Sequence, residues 1–361
     1  MAIISSKFNF TQLSGDNQAK TFFSLYFYSA FLYNHNYRAK KMDLYHTKTP
    51  VAIIIFNRYE NAHSVLQQIR KAEPKELFII ADGPRKNREG EYEKCQKARS
   101  IADEVDWQCS VHKIFSEENL GCAKRVVSGL NEVFSKVEQA IIFEDDCIPD
   151  LSFFRFADEM LERYESDGRI MLVSGNNKCF AKEPVKESYF FSKQCQIWGW
   201  ATWRRAWNKM DLSMSDWKNL KHSHLVESIY KKASHRYYWN SSFDYVYNKR
   251  TNSWAFPWNL SVWRENGFSV VPKVNLIRNA GFNADATHTS GKSIFENLDY
   301  GELDFPLVHP DYSPEQEIQR NEKMDLLEMK SRIKDSRQMP YPFNMFASKL
   351  KWFILGLIRK K

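Results

Sequence analysis

Three consecutive carboxylates, Glu144, Asp145 and Asp146, follow an apolar run in Ala140-Ile-Ile-Phe-Glu-Asp-Asp-Cys-Ile-Pro149. A run of this kind, closed by a turn signal, reads as a buried central strand. Ligands of open α/β sheets sit beyond the carboxyl ends of the strands, where this strand would deliver its acids. Crowded like charges are destabilising unless something positive binds among them. A hard divalent cation, Mn²⁺ or Mg²⁺, held by carboxylate oxygens and a substrate phosphate, would answer that need. Taken alone, the tripeptide reads first as a solvated acidic turn, so the elements around it have to decide.

Those elements alternate. Pro50 to Phe56 is expected as a strand ending in Asn57-Arg58, followed by a helix with Val65, Leu66 and Ile69 on one face. Leu77 to Ala81 is a second strand ending in Asp82-Gly83-Pro84. A charged helix over about Glu91 to Asp103 leads to a third strand, Val111 to Phe115. Asn119-Leu-Gly-Cys-Ala-Lys-Arg125 then opens a helix whose Val126, Leu130, Val133 and Val137 keep helical spacing. Beyond Pro149 come another amphipathic helix (Phe153 to Tyr164) and a strand from Ile170 to Ser174. Strands alternating with helices in this way give a mainly parallel sheet covered on both faces, an α/β, Rossmann-like fold. Three strand ends carry polar groups suited to a nucleotide: Asn57-Arg58, Asp82-Gly83 and the acidic triplet.

The second half differs in composition. Nine of the eleven tryptophans lie between Trp198 and Trp263. Most are expected in the core, with Trp203, Trp207 and Trp217 packing helices. Trp198 and Trp200 flank Gly199, which permits close backbone approach, and are candidates to stack on a sugar ring. Asn240 to Tyr247 reads as the first turn of a helix, which would place Asp244 at its positive end, as a general base or merely a stabilising acid. His288 lies in a turn-rich stretch, Gly281 to Gly291.

The 361 residues carry 52 basic and 44 acidic side chains, a net charge of +8 that favours anionic ligands or an anionic membrane surface. No dense basic arm suggests nucleic acid as a partner. Six cysteines show no metal or redox spacing, so free thiols in a reducing cytosol are expected. Residues 1–48 read as an extension, either touching a membrane or preceding a true start at Met42. Residues 49–180 and 181–310 read as two halves of one domain, the first with strand ends suited to a nucleotide and the second with aromatics suited to a sugar. In 311–361, Asp311 to Arg337 reads as a surface helix plus linker. A basic amphipathic helix from Phe343 comes last, able to lie on an anionic membrane.

Taken together, Phe56-Asn57-Arg58, Ala81-Asp82-Gly83, Phe143-Glu144-Asp145-Asp146, Trp198-Gly-Trp200 and Phe243-Asp244 resemble nucleotide-sugar glycosyltransferases of the GT-A fold. More narrowly, they resemble the N-acetylglucosaminyltransferase I branch and its bacterial relatives. The resemblance implies that Arg58 and Asp82, beside Asn57, hold the uridine, and that Glu144 and Asp145 contact ribose and donor sugar. It further implies that Asp146 and His288 bind Mn²⁺ or Mg²⁺, that Trp198, Gly199 and Trp200 face the sugar or acceptor, and that Asp244 is the base of an inverting transfer. One aspartate stands where the family pairs two. The expected acceptor is a surface glycan or lipid-linked sugar at the cytoplasmic face of a bacterial membrane. Two other readings remain: a metal-dependent nucleotidyl- or phosphotransferase, against which no P-loop or glycine-rich phosphate loop is found, and a non-catalytic sugar-binding protein, which would predict a broken acidic motif.

Overall fold

The structure, a computed structural model, describes residues 45–180, 182–282 and 293–338. The described strands and helices lie between Val51 and Gln338. His288, the extension up to Met42 and the amphipathic tail from Phe343 lie outside the described residues.

The first half runs β1 (Val51–Ile55), α1 (Tyr59–Ala72), β2 (Glu76–Ala81), α2 (Glu91–Arg99), β3 (Ser110–Phe115), α3 (Cys122–Lys136), β4 (Gln139–Glu144), β5 (Cys147–Pro149), α4 (Leu151–Arg163) and β6 (Ile170–Ser174). The second half adds β7 (Tyr189–Ser192), β8 (Trp200–Trp203), α5 (Ala233–Tyr247), α6 (Ala255–Arg264), β9 (Phe268–Pro272), β10 (Ile277–Asn279) and α7 (Glu322–Gln338), with shorter helices between. Eight strands form one sheet in the order β3-β2-β1-β4-β8-β6-β9-β7. The pairs β3-β2, β2-β1, β1-β4 and β6-β9 are parallel, while β8 and β7 run against their neighbours. The architecture is α/β and Rossmann-like, a mostly parallel central sheet flanked by helices, consistent with the expected GT-A type. Both halves of the chain contribute to this one sheet.

The apolar runs explain the layers. All five residues of β1 are buried, as expected of a strand covered on both faces. On one face Ala52, Ile54, Phe78, Ile80 and Ile142 pack against Val126, Leu130 and Val133 of α3. On the other, Phe143 meets Phe153 and Phe154 of α4, with ring centroids 5.8 and 5.6 Å apart. Buried Asp158 of α4 fastens the lead-in to β1, accepting Thr47 Oγ1 at 2.9 Å and the Lys48 amide at 2.8 Å.

Tryptophans build the core of the second half. Trp200 packs on Trp254 (5.7 Å), Trp207 on Trp258 (5.2 Å) and Trp239 on Trp263 (4.6 Å). Trp203, Trp207 and Trp217 are buried as expected. Each such ring stabilises by about 3–5 kcal/mol relative to alanine, which accounts for most of the tryptophans without any sugar. The expected surface helix near the end of the domain is instead docked. Met324, Asp325, Glu328 and Met329 of α7 are buried; Asp325 accepts the Lys193 amide at 3.1 Å, and Arg332 Nε donates to Glu328 at 2.7 Å. Paired buried charges escaped the sequence reading because their spacing resembles that of a solvated helix.

Candidate functional site

Register sets the site. Ile54 of β1 lies opposite Glu144 of β4, Ile55 opposite Ala81 of β2, and Ala81 opposite Phe115 of β3. The segments leaving these strands therefore meet at one edge of the sheet. The order β3-β2-β1-β4 reverses between β1 and β4, and a crevice at such a switch point is where open α/β sheets take ligands. A cavity of about 480 Å³ lies there, within the range of small-molecule sites. It collects Asn57, Arg58, Asp82, Glu144, Asp145, Asp146 and Trp198 from the expected set.

The two aspartates are held by Arg58. Arg58, leaving β1, donates through Nε to Asp145 Oδ2 at 3.2 Å and through Nη2 to Asp145 Oδ1 and, at 3.1 Å, to Asp146 Oδ2. Asp145 is buried at 3% exposure. Burial, then the negative charges of Asp146 and Asp145, push the Glu144 carboxyl up. Burial also pushes Asp145 up, against the pull of Arg58. Among the described residues Arg58 is the one basic side chain paired with these acids, and further positive charge beside them would relieve the crowding.

The end of β2 is differently committed. Asp82 Oδ1 accepts the amides of Gly83 (3.0 Å) and Leu120 (2.8 Å), and Oδ2 accepts that of Gly121 (2.9 Å). Its carboxylate thus ties β2 to the turn before α3, while still lining the cleft. Asn57 Nδ2 donates to Glu91 Oε1 at 3.2 Å, and the Arg85 amide and guanidinium bind the same carboxylate. From the far side Asn252 Oδ1 accepts the Ala123 amide at 3.2 Å. Gly121 has φ +78, and a Cβ there would lie 2.5 Å from Asn252 Nδ2, so glycine suits both the backbone and the approach.

The small sheet closes the acid side. β10 pairs antiparallel with β5, setting Asn279 opposite Cys147, and the Ala280 amide donates to the Asp146 carbonyl at 2.8 Å. Gly281 then approaches the Asp146 side chain so closely that a Cβ would sit 2.2 Å from Oδ2. Phe282 comes next, meeting Trp198 edge to face at 5.8 Å, and the two make an aromatic wall.

Several expected residues fall elsewhere. Trp200 is 1% exposed inside the tryptophan core and does not line the cleft; its place on β8 turns the ring into the sheet's packing. Gly199 has φ +59, and a Cβ would press on Ile277 and Phe143 at 2.4 and 3.1 Å, so it serves packing rather than a ligand. Asp244 lies in the last turn of α5, at the negative end, and not in a first turn. It is half-exposed, is paired with Lys221 Nζ at 2.7 Å, accepts Trp217 Nε1 at 3.0 Å, and is absent from the cleft wall. Asp244→Asn is therefore expected to cost at most about 1 kcal/mol of stability and to leave turnover unchanged. A folded variant without turnover, seen by thermal melt and activity assay together, would return this residue to the reaction.

Sequence reasoning missed Arg85, Arg125, Asn252, Asn279 and Phe282 as cleft residues. Arg125 was within reach, because the helix opening at Asn119 to Arg125 comes directly after a strand end. Asn252 lies in an irregular loop that carries no such signal.

Among the described residues no group of three or more His, Cys, Asp or Glu would hold a metal ion unaided. The donor chemistry still fits Mg²⁺ or Mn²⁺, since carboxylate oxygens in charge excess face the cleft. Such ions commonly take one or two carboxylates and complete their shell with substrate phosphates and water. Asp146, less buried than Asp145, would be the carboxylate to hold one.

No protein-family model matches the chain, and no curated protein matches it. Among solved structures it is similar to a crystal structure of apo UDP-glucose pyrophosphorylase, at 10% identity and a TM-score of 0.31 over 62% of this chain and 90% of that one. A likeness at that level carries no inference about activity.

Proposed function

We propose that the protein is a metal-dependent glycosyltransferase that takes a sugar from a nucleotide donor, a UDP-sugar, and passes it to an acceptor hydroxyl of a surface glycan or lipid-linked sugar. The reading rests first on one observation: Glu144, Asp145 and Asp146 crowd the end of β4, at the switch point of a Rossmann-like sheet, with Arg58 paired to the two aspartates. A bound Mn²⁺ or Mg²⁺ supplies Lewis-acid neutralisation of the leaving diphosphate. Arg58 fixes the two aspartates in place, and the half-buried Trp198 with Phe282 offers an aromatic wall for a sugar face. The resemblance to the N-acetylglucosaminyltransferase I branch adds inversion as the expected outcome. Contact with a membrane-borne acceptor is assigned to the basic tail; among the described residues no helix is long and apolar enough to cross a membrane.

Incubation with UDP-sugars and Mn²⁺ tests this reading. Release of UDP, with the sugar on water or an added acceptor, is the expected result. Formation of UTP and sugar 1-phosphate in the presence of pyrophosphate would make the protein a nucleotidyltransferase instead.

Gly281→Ala gives a finer test. The added methyl group must push the Asp146 carboxylate aside, because the two cannot share 2.2 Å. Its expected effect is a folded protein whose UDP affinity in Mn²⁺ falls by about tenfold. Unchanged affinity by calorimetry would show that the position of Asp146 does not matter.

A further inference from the structure

Three arginines line the cleft, and two of them are ion-paired. Arg58 holds Asp145 and Asp146, and Arg85 holds Glu91. The third, Arg125, is 7% exposed, and its Nε is buried with no hydrogen-bond partner. Its guanidinium forms no ion pair among the described residues. Burial disfavours the charge on a guanidinium with no ion pair, and an anion in the cleft beside it would offset that. The fields of Asp82 and, less strongly, Glu132 reach it, and Asp82 already holds three backbone amides.

Arg125 stands on the first turn of α3, a helix of 15 residues whose N-terminus opens into the same cleft through Gly121 and Cys122. No side chain caps it at the N-cap position. Asn252 takes the Ala123 amide. The Cys122 and Lys124 amides are left with no partner among the described residues. Uncommitted amides at the positive end of a helix favour an anion, and the guanidinium fork adds charge and paired donors of matching geometry.

We propose that Arg125 and the first turn of α3 form an anion subsite for the phosphoryl groups of the nucleotide donor, facing the acidic wall across the cleft. The proposal rests on the nucleotide-sugar reading above and names the side of the cleft that takes the diphosphate. The two walls are then complementary to a cation on one side and an anion on the other.

Arg125→Met keeps most of the side-chain volume and removes the charge. Calorimetric titration of the full-length protein with UDP, uridine and inorganic pyrophosphate, each with Mn²⁺, reads the outcome, and a thermal melt accompanies it. The expected result is UDP affinity lower by about tenfold or more, pyrophosphate binding lost, uridine affinity unchanged, and a melting temperature equal to or above wild type. A structural arginine would instead lower the melting temperature and leave the ratio of UDP to uridine affinity alone, which would overturn the proposal. An equal loss for uridine and UDP would also overturn it, in favour of a contact to the base. Should the methionine variant fail to fold, Arg125→Lys carries the test. It keeps a charge without the fork, and undiminished UDP and pyrophosphate affinity would be contrary. Arg125-dependent pyrophosphate binding in a protein that binds no nucleotide would sustain the subsite while removing the nucleotide reading.

Discussion

Asp146→Ala is expected to abolish turnover of the nucleotide-sugar donor while leaving the fold intact. In the proposed reaction Asp146 would hold the cation, which would supply charge neutralisation at the leaving diphosphate. Losing such electrostatic stabilisation is worth about 3–4 kcal/mol, or two to three orders of magnitude in rate. Stability should move the other way or not at all. Asp146 contributes to pushing both Glu144 and Asp145 above their ordinary range, after burial itself. Removing it lowers the repulsion that the pair carries. The melting temperature should therefore hold or rise while UDP-sugar turnover in Mn²⁺ disappears. A variant that turns over normally would remove the metal assignment, and one that unfolds would make Asp146 structural.

Arg58→Met is expected to produce the largest loss of stability. Burial opposes the Arg58 charge, and Asp145 and Asp146 together more than restore it. Without the guanidinium, a carboxylate at 3% exposure and its two acidic neighbours stand uncompensated. Removing one partner of a buried pair costs about 3–5 kcal/mol. Added Mn²⁺ should recover part of that loss by binding the same acids, so the melting temperature of this variant should respond to Mn²⁺ more than that of wild type. A small change in denaturant midpoint, with no extra metal response, would show that Arg58 is not what holds the acids.

Much of the sheet was legible because its strands are apolar on both faces. Ile170 to Ser174 has the expected bounds, and the other early strands differ by a residue or two. The strand-end side of the cleft was legible for a related reason. A parallel sheet exposes its strand ends together, so polar groups after β1, β2 and β4 had to meet. What failed came from the second half, where tryptophan serves packing and recognition alike. Trp198 and Trp200 are two residues apart and point to the same side of a strand by period, yet Gly199 at φ +59 breaks that period. One ring therefore lines the cleft and the other enters the core. Asp244 failed because the helix begins at Ala233, earlier than its polar Asn-Ser-Ser segment suggested. Arg125 could be placed on a helix from sequence, but its lack of a partner is a property of three dimensions.

The most direct test of the nucleotide site is calorimetric titration of UDP into the purified protein with Mn²⁺ and then with EDTA. Binding at one site per chain is predicted, dependent on the metal and lost in Asp146→Ala. Binding of equal strength in EDTA would contradict the role given to the acidic triplet, and no binding in either condition would contradict the nucleotide site itself.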